Sequence, residues 1–336
     1  MIQKKQSKFP VLIATLVIAI IVIIISVMVG INFFNEVNSI KIDEEKQFEI
    51  QQGWGLSQVA KALKDEKIIK HTGIFESKAK KMGVDTKIQP GSVTIEPGMS
   101  YEEILKKLTE DNSYKITIPE GYELRQIADV LEEEGLIDRE VFYEKLDPEL
   151  YDYEFLKDLP ERENVLEGYL YPATYNFYQG MSEEAIIDKM LSAFDEHFIP
   201  EYYERAEEIN MTVDEVVTLA SIIEREAGTS DEMNKIAGVF YNRLNQNMKL
   251  QSCATVQYIL QERKENLSIE DTQIESLYNT YLHDGLPIGP IASPGIECIE
   301  AALYPEDTEY LYFVLGKDGK HIFSKTYEEH MAAQEQ

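Results

Sequence analysis

A run of 26 residues, Phe9–Phe34, contains no charged side chain. About 20 apolar residues span the hydrocarbon core of a bilayer as a helix, so this run is long enough to cross it with some tilt. Lys4, Lys5 and Lys8 precede the run, and basic residues beside a span favour the cytoplasmic side. No small-x-small cleavage site follows it, and its apolar core is too long for a signal peptide. The sequence therefore predicts a single-pass type II protein, with a cytoplasmic tail at 1–8, a transmembrane helix at 9–34 and the remaining chain outside the cytoplasm.

The formal net charge of −29 limits the partners of the chain. A surface this acidic repels phosphates, so we expect no nucleic acid partner and no large basic contact with anionic lipid. Two cysteines, Cys253 and Cys298, do not make a disulfide framework, and whether they pair stays open. The histidines are scattered, and no HExxH, CxxC or Gly-rich phosphate loop occurs. We therefore expect neither a metal site nor an organic cofactor.

An internal repeat follows a polar, charged stretch at 35–46 that we interpret as a stalk. Phe48–Phe75 aligns with Thr117–Tyr143 at a shift of 68 residues, and Gly53 of the first copy then matches Gly121 of the second. Each copy is predicted to contain a strand, a glycine turn, an amphipathic helix and a second helix. Two copies are too few for a solenoid, so the repeat indicates duplicated small modules.

The first copy is predicted to close with a returning strand at Ser92–Glu96. Its strand–helix–helix–strand layout and its Gly-x-x-L-x-x-[VI]-A pattern resemble a LysM module, a family that binds N-acetylglucosamine-containing glycans. We therefore assign 47–112 to a LysM-like subdomain, with a structural spacer as the alternative. Trp54 either stacks on a sugar ring or packs in the core of the module, since an aromatic residue after a turn suits both roles.

Residues 113–336 are predicted to form a mixed α+β catalytic domain, in which 113–160 is a repeat-like connecting part. Aromatic residues and Gly-Pro turns become dense from about Pro160, and polar groups on such turns are typical of a ligand cleft on a rigid scaffold. The expected fold class is α+β, with one transmembrane helix, a βααβ subdomain and this larger domain.

A capped helix in this domain carries a glutamate on its apolar face. Thr212 and Glu215 form a capping box, and Gly228 is predicted to end the helix as a left-handed cap. At about 100° per residue, Glu224 falls inside the apolar arc and Glu226 falls at its edge. Burial raises the pKa of such a carboxyl, which suits general acid catalysis. A structural ion pair, for example to an arginine on the next helix, remains the alternative.

Several longer motifs occur in a fixed order along the second half of the chain. They read EGYLYPATY, LASIIEREAG, VFYNRL, LQS-x-x-TV, YNTY, GLPIGPIASPG, AALYP and YLYFV. Together they resemble the endolytic murein transglycosylase family of MltG/YceG-like proteins, from the membrane helix to nearly the C-terminus. The resemblance implies a membrane anchor, a LysM-like subdomain and a catalytic domain. It also places the catalytic glutamate of the family, the first in A-S-I-[IV]-E-x-E, at Glu224. Where the family often has Asp-Pro after Gln-Ser, this chain has Cys253-Ala254, which we interpret as a local substitution and not as a nucleophile.

The resemblance implies an endolytic lyase acting on nascent peptidoglycan. It would cleave the β-1,4 bond between N-acetylmuramic acid and N-acetylglucosamine, leave 1,6-anhydro ends and terminate strand elongation. One glutamate suffices for this reaction because the nucleophile, the muramoyl C6 hydroxyl, belongs to the substrate. The alternatives are a muramidase-type hydrolase that uses Glu226 as a second acid, and a non-catalytic glycan-binding scaffold of the wall-synthesis machinery. Residues two apart on a helix point about 200° apart, which weakens the first alternative.

Neutral hydrogen-bonding and aromatic groups on the loops after this helix suit a sugar polymer, with ordinary surface loops as the alternative. Expected partners are peptidoglycan glycan strands and, beyond them, peptidoglycan synthases and proteins of division and elongation. The residues predicted to position the sugar are Asn242, Gln251, Asn279, Tyr281 and Ser293. Supporting roles are predicted for Glu226, Arg243 and Tyr169.

Overall fold

The computed structural model describes residues 9–38, 42–51, 53–111, 113–157, 159–264 and 266–335. The chain divides into two compact units, unit 1 with residues 1–113 and 178–180 and unit 2 with residues 114–177 and 181–336. Helices and two-stranded antiparallel sheets occur in the described residues. This mixture confirms the predicted α+β class.

Helix α1, Phe9–Asn38, contains the predicted membrane segment. Its side chains are described for residues 17–31. Within the described residues, no helix is both long enough and apolar enough to cross a membrane. The transmembrane helix therefore stays a prediction, and the predicted cytoplasmic tail at 1–8 lies outside the described residues.

Unit 1 contains a small module after α1. Its elements are β1 Lys46–Ile50, α2 Leu56–Asp65, α3 Thr72–Met82, β2 Gly91–Ile95 and α4 Tyr101–Lys107. The two strands are antiparallel, with Phe48 opposite Val93, and the helices bury Leu63 and Phe75 in the same core. Trp54 is partly buried and packs against this core, which favours a packing role. The order of elements is the predicted one, whereas the kinship to LysM modules stays a prediction.

Unit 2 begins with the second copy of the repeat. Its elements are β3 Tyr114–Thr117, α5 Leu124–Glu133, α6 Arg139–Glu144, β4 Thr174–Phe177, α7 Glu183–His197, α8 Pro200–Glu208, α9 Val213–Glu226, α10 Met233–Asn245, α11 Cys253–Leu260, α12 Ile296–Leu303, β5 Tyr312–Leu315, β6 His321–Ser324 and α13 Tyr327–Gln334. Strand β3 pairs antiparallel with β4, so this copy also has a strand–helix–helix–strand order. Gly121 has a φ of 74° and Gly53 a φ of 79°, a left-handed conformation that favours glycine.

Helix α9 is the central element of unit 2 and packs against α8, α10, α11 and α12. It begins as predicted, because the Thr212 hydroxyl accepts from the Glu215 N–H and the Glu215 carboxylate accepts from the Thr212 N–H. The predicted end at Gly228 is wrong. The helix ends at Glu226, and Ala227 is the C-cap with an extended ψ of 129°. Because this backbone turns the chain away at once, no left-handed residue is needed.

Candidate active site

The Glu224 carboxylate lies in the last turn of α9 and faces the start of α12. Its Oε2 accepts a hydrogen bond from the backbone N–H of Gly295 at 3.0 Å. Burial, the negative charge of Glu224 and a hydrogen bond to it raise the pKa of the Cys298 thiol on α12. This thiol therefore stays protonated beside Glu224. Cys253 and Cys298 are both free, which answers the open question about their pairing.

Glu224 has no cationic partner among the described residues. Arg243, an arginine on the next helix, donates instead from Nε to the Leu311 carbonyl and from Nη1 to the Leu250 carbonyl, both at 2.7 Å. Its guanidinium also lies 5.2 Å from the centroid of the Tyr312 ring. The alternative of a Glu224–Arg243 ion pair is therefore not supported, and the carboxyl of Glu224 is available for proton transfer.

The glycine turn of the second repeat lies against Glu224. The Gly121 N–H donates to the Ser293 carbonyl and the Ser293 N–H donates to the Tyr122 carbonyl, both at 2.8 Å. Arg225 donates to the Gly121 carbonyl at 3.1 Å, and a Cβ atom on Gly121 would lie 3.5 Å from Cγ of Glu224. Sequence reasoning assigned this turn to a connecting part. It identified the turn from the repeat, but no local signal indicated what the turn packs against.

A second carboxylate, that of Glu120, lies beside Gly295, the residue whose N–H binds Glu224. A Cβ atom at Gly295 would overlap the Glu120 carboxylate. Glu120 is exposed, yet burial of its surroundings and the charges of Glu224 and Glu297 raise its pKa. Sequence reasoning missed Glu120 entirely, because its approach to Glu224 depends on tertiary contacts.

Glu226 points toward a different helix from Glu224. Its Oε1 accepts from the Ser252 hydroxyl at 2.5 Å and from the Ala254 N–H at 3.4 Å. These bonds tie the end of α9 to the start of α11. Glu226 thus supports the loop beside the site and does not form a facing carboxylate pair with Glu224.

Gln251 and Tyr281 lie on this neighbouring loop region. Gln251 is exposed, has a φ of 46° and donates its backbone N–H to the Thr280 carbonyl at 3.1 Å. The Tyr281 hydroxyl lies 3.1 Å from Sγ of Cys253. Desolvation raises the pKa of both the Tyr281 hydroxyl and the Cys253 thiol. A thiol with a raised pKa is a weak nucleophile, in agreement with the interpretation of Cys253 as a substitution.

Two of the predicted sugar-binding amides are instead bonded to the protein. Nδ2 of Asn242 donates to the carbonyls of Thr308 and Tyr310 at 2.8 and 3.0 Å. Asn279 is fully buried, donates to the Ile274 carbonyl at 2.8 Å and accepts from the Tyr281 N–H at 3.0 Å. Both amides hold loops in place, which argues against direct contact with a sugar. The Ser293 hydroxyl is buried without a hydrogen-bond partner in the described residues, so the clear role of Ser293 is its backbone contact with the turn.

Tyr169 lies at the opposite end of α9 from Glu224. Its hydroxyl donates to Asp214 at 2.8 Å, and Arg162 pairs with the same carboxylate at 2.7 Å. Asp214 and Glu224 are ten residues apart on the helix, or about 15 Å. A cavity of about 780 Å³ opens beside Asp214. Glu224 does not line this cavity, so the cavity does not mark the position of Glu224. Tyr169 anchors the start of the helix and not the carboxyl at its end.

These features place Glu224, a carboxyl without a cationic partner in the described residues, at the end of a mostly buried helix, with the Glu120 carboxylate nearby. Within the part of the chain that the structure describes, no three His, Cys, Asp or Glu side chains are grouped so as to hold a metal ion. A carboxyl in such surroundings suits proton transfer, and the catalytic role of Glu224 stays a prediction.

The chain belongs to the YceG-like family, whose model matches residues 48–336. An endolytic murein transglycosylase of Bacillus subtilis (strain 168) is 36% identical over 300 residues, which cover 85% of this chain and 83% of that protein. Another from Streptococcus pneumoniae serotype 2 (strain D39) is 33% identical over 311 residues, which cover 84% of this chain but 56% of that protein. The crystal structure of a YceG-like protein from Listeria monocytogenes is similar at a TM-score of 0.59 and 36% identity, over 87% of this chain and 99% of that one. The resemblance seen in the motifs is confirmed.

Proposed function

We propose that this chain is a lytic transglycosylase that cleaves peptidoglycan glycan strands outside the cytoplasm. Its family membership and the endolytic murein transglycosylases among its relatives support the enzyme class. The observation that carries the proposal is the placement of Glu224, which is partly buried, accepts from the Gly295 N–H and has no cationic partner in the described residues. A carboxyl in such surroundings can give up and regain a proton during one reaction.

In the proposed reaction, Glu224 first acts as a general acid. Its proton goes to the oxygen that joins C1 of N-acetylmuramic acid to C4 of N-acetylglucosamine, and the bond from C1 to that oxygen breaks. The C6 hydroxyl of the same muramoyl residue then bonds to C1, and its proton returns to Glu224. The product carries a 1,6-anhydro end, no water is consumed and the enzyme recovers its starting protonation.

The surrounding residues have positioning roles in this proposal. The Gly295 N–H fixes one oxygen of Glu224, and the Cys298 thiol is a neutral donor on the same helix. Gln251 and Tyr281 offer a polar surface near Glu226 for the sugar. A hydrolase that uses Glu226 as its second carboxylate is disfavoured, because hydrogen bonds from Ser252 and Ala254 to Oε1 hold this side chain toward the start of α11.

The location and larger role follow from the N-terminal segment. We infer that Phe9–Phe34 anchors the chain in the cell membrane with unit 2 outside, which would bring the site to strands as they leave their synthases. Cleavage at that point would end strand elongation. The module at 47–112 would assist cleavage by binding glycan. Peptidoglycan synthases and division or elongation proteins would be partners of the whole protein.

The test is digestion of purified glycan strands by the wild type and by two matched variants. Glu224→Gln keeps size and hydrogen bonding but removes the proton, so turnover should fall by at least about 10²-fold while glycan binding survives. Glu226→Gln makes the same chemical change two residues away and should cost less turnover. Equal losses that track a lower melting temperature would show a structural role for Glu224. A Glu224→Gln protein that still binds and still cleaves would favour another catalytic group.

A further inference from the structure

Glu120 and Glu224 lie on two sides of one glycine. The Gly295 N–H is bonded to Glu224, and a Cβ atom on the same residue would overlap the Glu120 carboxylate. Gly295 has a φ of −73°, a conformation open to any residue. The backbone therefore does not require glycine here. A side chain at this position would instead displace the Glu120 carboxylate, which is the end of a flexible side chain.

The turn that carries Glu120 is fixed on both sides. Gly121 is bonded to Ser293 through its N–H and to Arg225 through its carbonyl. Gly121 has a left-handed φ of 74° within this turn. The backbone next to Glu120 is thus fixed by hydrogen bonds to Ser293 and Arg225.

The groups that face Glu120 are negatively charged or neutral. Glu297 faces it from α12 and raises its pKa together with Glu224, after the effect of burial. Tyr171 faces it from the segment before β4, and burial followed by the charge of Glu120 raises the pKa of Tyr171 to about 12. Arg225, the nearby cation on α9, is paired with Glu123 at 3.2 Å. In the described part of the chain, no cation pairs with Glu120.

We propose that Glu120 is a positioning residue of this site, which forms a coupled carboxyl pair with Glu224 and so keeps one proton at the site between turnovers. Two nearby carboxylates resist being ionised together, so the pair loses its last proton at a higher pH than a single carboxyl would. Since Glu224 must be protonated to begin the reaction, the pair extends the active range toward higher pH. This inference rests on the proposed function, because it assigns a role within that reaction.

The experiment measures kcat/KM against pH for the full chain, with uncrosslinked glycan strands as substrate. Glu120→Gln should shift the basic limb of the profile to lower pH by about half a unit, which above the midpoint is a loss of about threefold. Glu120→Asp keeps the charge and should retain most of the wild-type profile. Gly295→Ala keeps the N–H that binds Glu224 but displaces Glu120, so it should shift the limb in the same direction. Glu133→Gln, the same change on an exposed residue at the far end of α5, should shift nothing.

Salt provides a second readout, because ions screen exposed charges. The difference between the wild type and Glu120→Gln should shrink at high ionic strength. Profiles that superimpose, or a uniform loss at every pH with no shift, would overturn the role of Glu120 while leaving cleavage by Glu224 intact. A wild type that releases no 1,6-anhydro ends would overturn both the proposed function and this inference.

Discussion

Glu167 gives a prediction about stability that is independent of catalysis. Its side chain is 1% exposed, accepts from the Leu124 N–H at 2.9 Å and from the Tyr258 hydroxyl at 3.1 Å. Burial is the main cause that raises its pKa from 4.5 to about 8, and the charge of Glu123 adds to it. The carboxyl is therefore neutral in the folded protein over a pH range in which it is ionised in the unfolded chain.

The sign and size of the effect follow from this pKa. Because the folded pKa is the higher one, the favourable contribution is complete below about pH 4.5 and is lost as pH rises through about 8. One pKa unit corresponds to about 1.4 kcal/mol, so the loss is roughly 4–5 kcal/mol of unfolding free energy. For a domain of this size that is on the order of 10 °C in melting temperature.

Glu167→Gln removes this titration while keeping an oxygen for the Leu124 N–H. Its melting temperature should be close to that of the wild type at pH 5, and it should exceed the wild type at pH 9 by roughly 10 °C. Thermal unfolding of both proteins across this range measures the difference, and the many other titrating groups cancel in the comparison. Two curves that stay parallel from pH 5 to pH 9 would refute the assignment of a buried neutral carboxyl.

Three further predictions concern the residues around the site. Asn279→Ala leaves buried carbonyls without donors, so it should lower the unfolding free energy by about 1–3 kcal/mol; a wild-type melting temperature with weaker glycan binding would restore its predicted sugar contact. Ser252→Ala removes the donor to Glu226 and should loosen the loop before α11, seen as faster hydrogen exchange there; unchanged exchange would contradict this support. Deletion of 47–112 should weaken binding to glycan strands and leave residual cleavage by a folded 113–336 fragment; unchanged affinity would make the module a spacer.

Local patterns predicted the elements that local forces determine. The capping box at Thr212 predicted the start of α9, and the apolar arc predicted a glutamate on its buried side, where Glu224 is partly buried, because both depend on spacing along one helix. The end of α9 was wrong, since Gly228 suggested a left-handed cap and the chain leaves in an extended conformation one residue earlier. The returning strand of the first module was found within one residue, at Gly91–Ile95.

Contacts between residues that are distant in sequence could not be predicted from local patterns. Glu120 meets Glu224 only because the second repeat packs its turn on α9 and on Ser293, more than a hundred residues later in the chain. The amides of Asn242 and Asn279 are of the right type for a sugar, but a sequence does not show that backbone carbonyls already occupy them. Residue type thus indicated the chemistry of the region, and tertiary structure determined which groups are free to perform it.

The most direct test of the role of Glu224 is digestion of glycan strands in water labelled with heavy oxygen. Transglycosylation bonds the muramoyl C6 oxygen to C1, so the wild-type products should be 1,6-anhydro ends without label, and Glu224→Gln should release almost none of them. New reducing ends that the wild type releases at the rate of cleavage, in place of anhydro ends, would contradict the account, because they would show that water and not the C6 hydroxyl attacks C1. Unlabelled anhydro ends released by Glu224→Gln at the wild-type rate would contradict it equally.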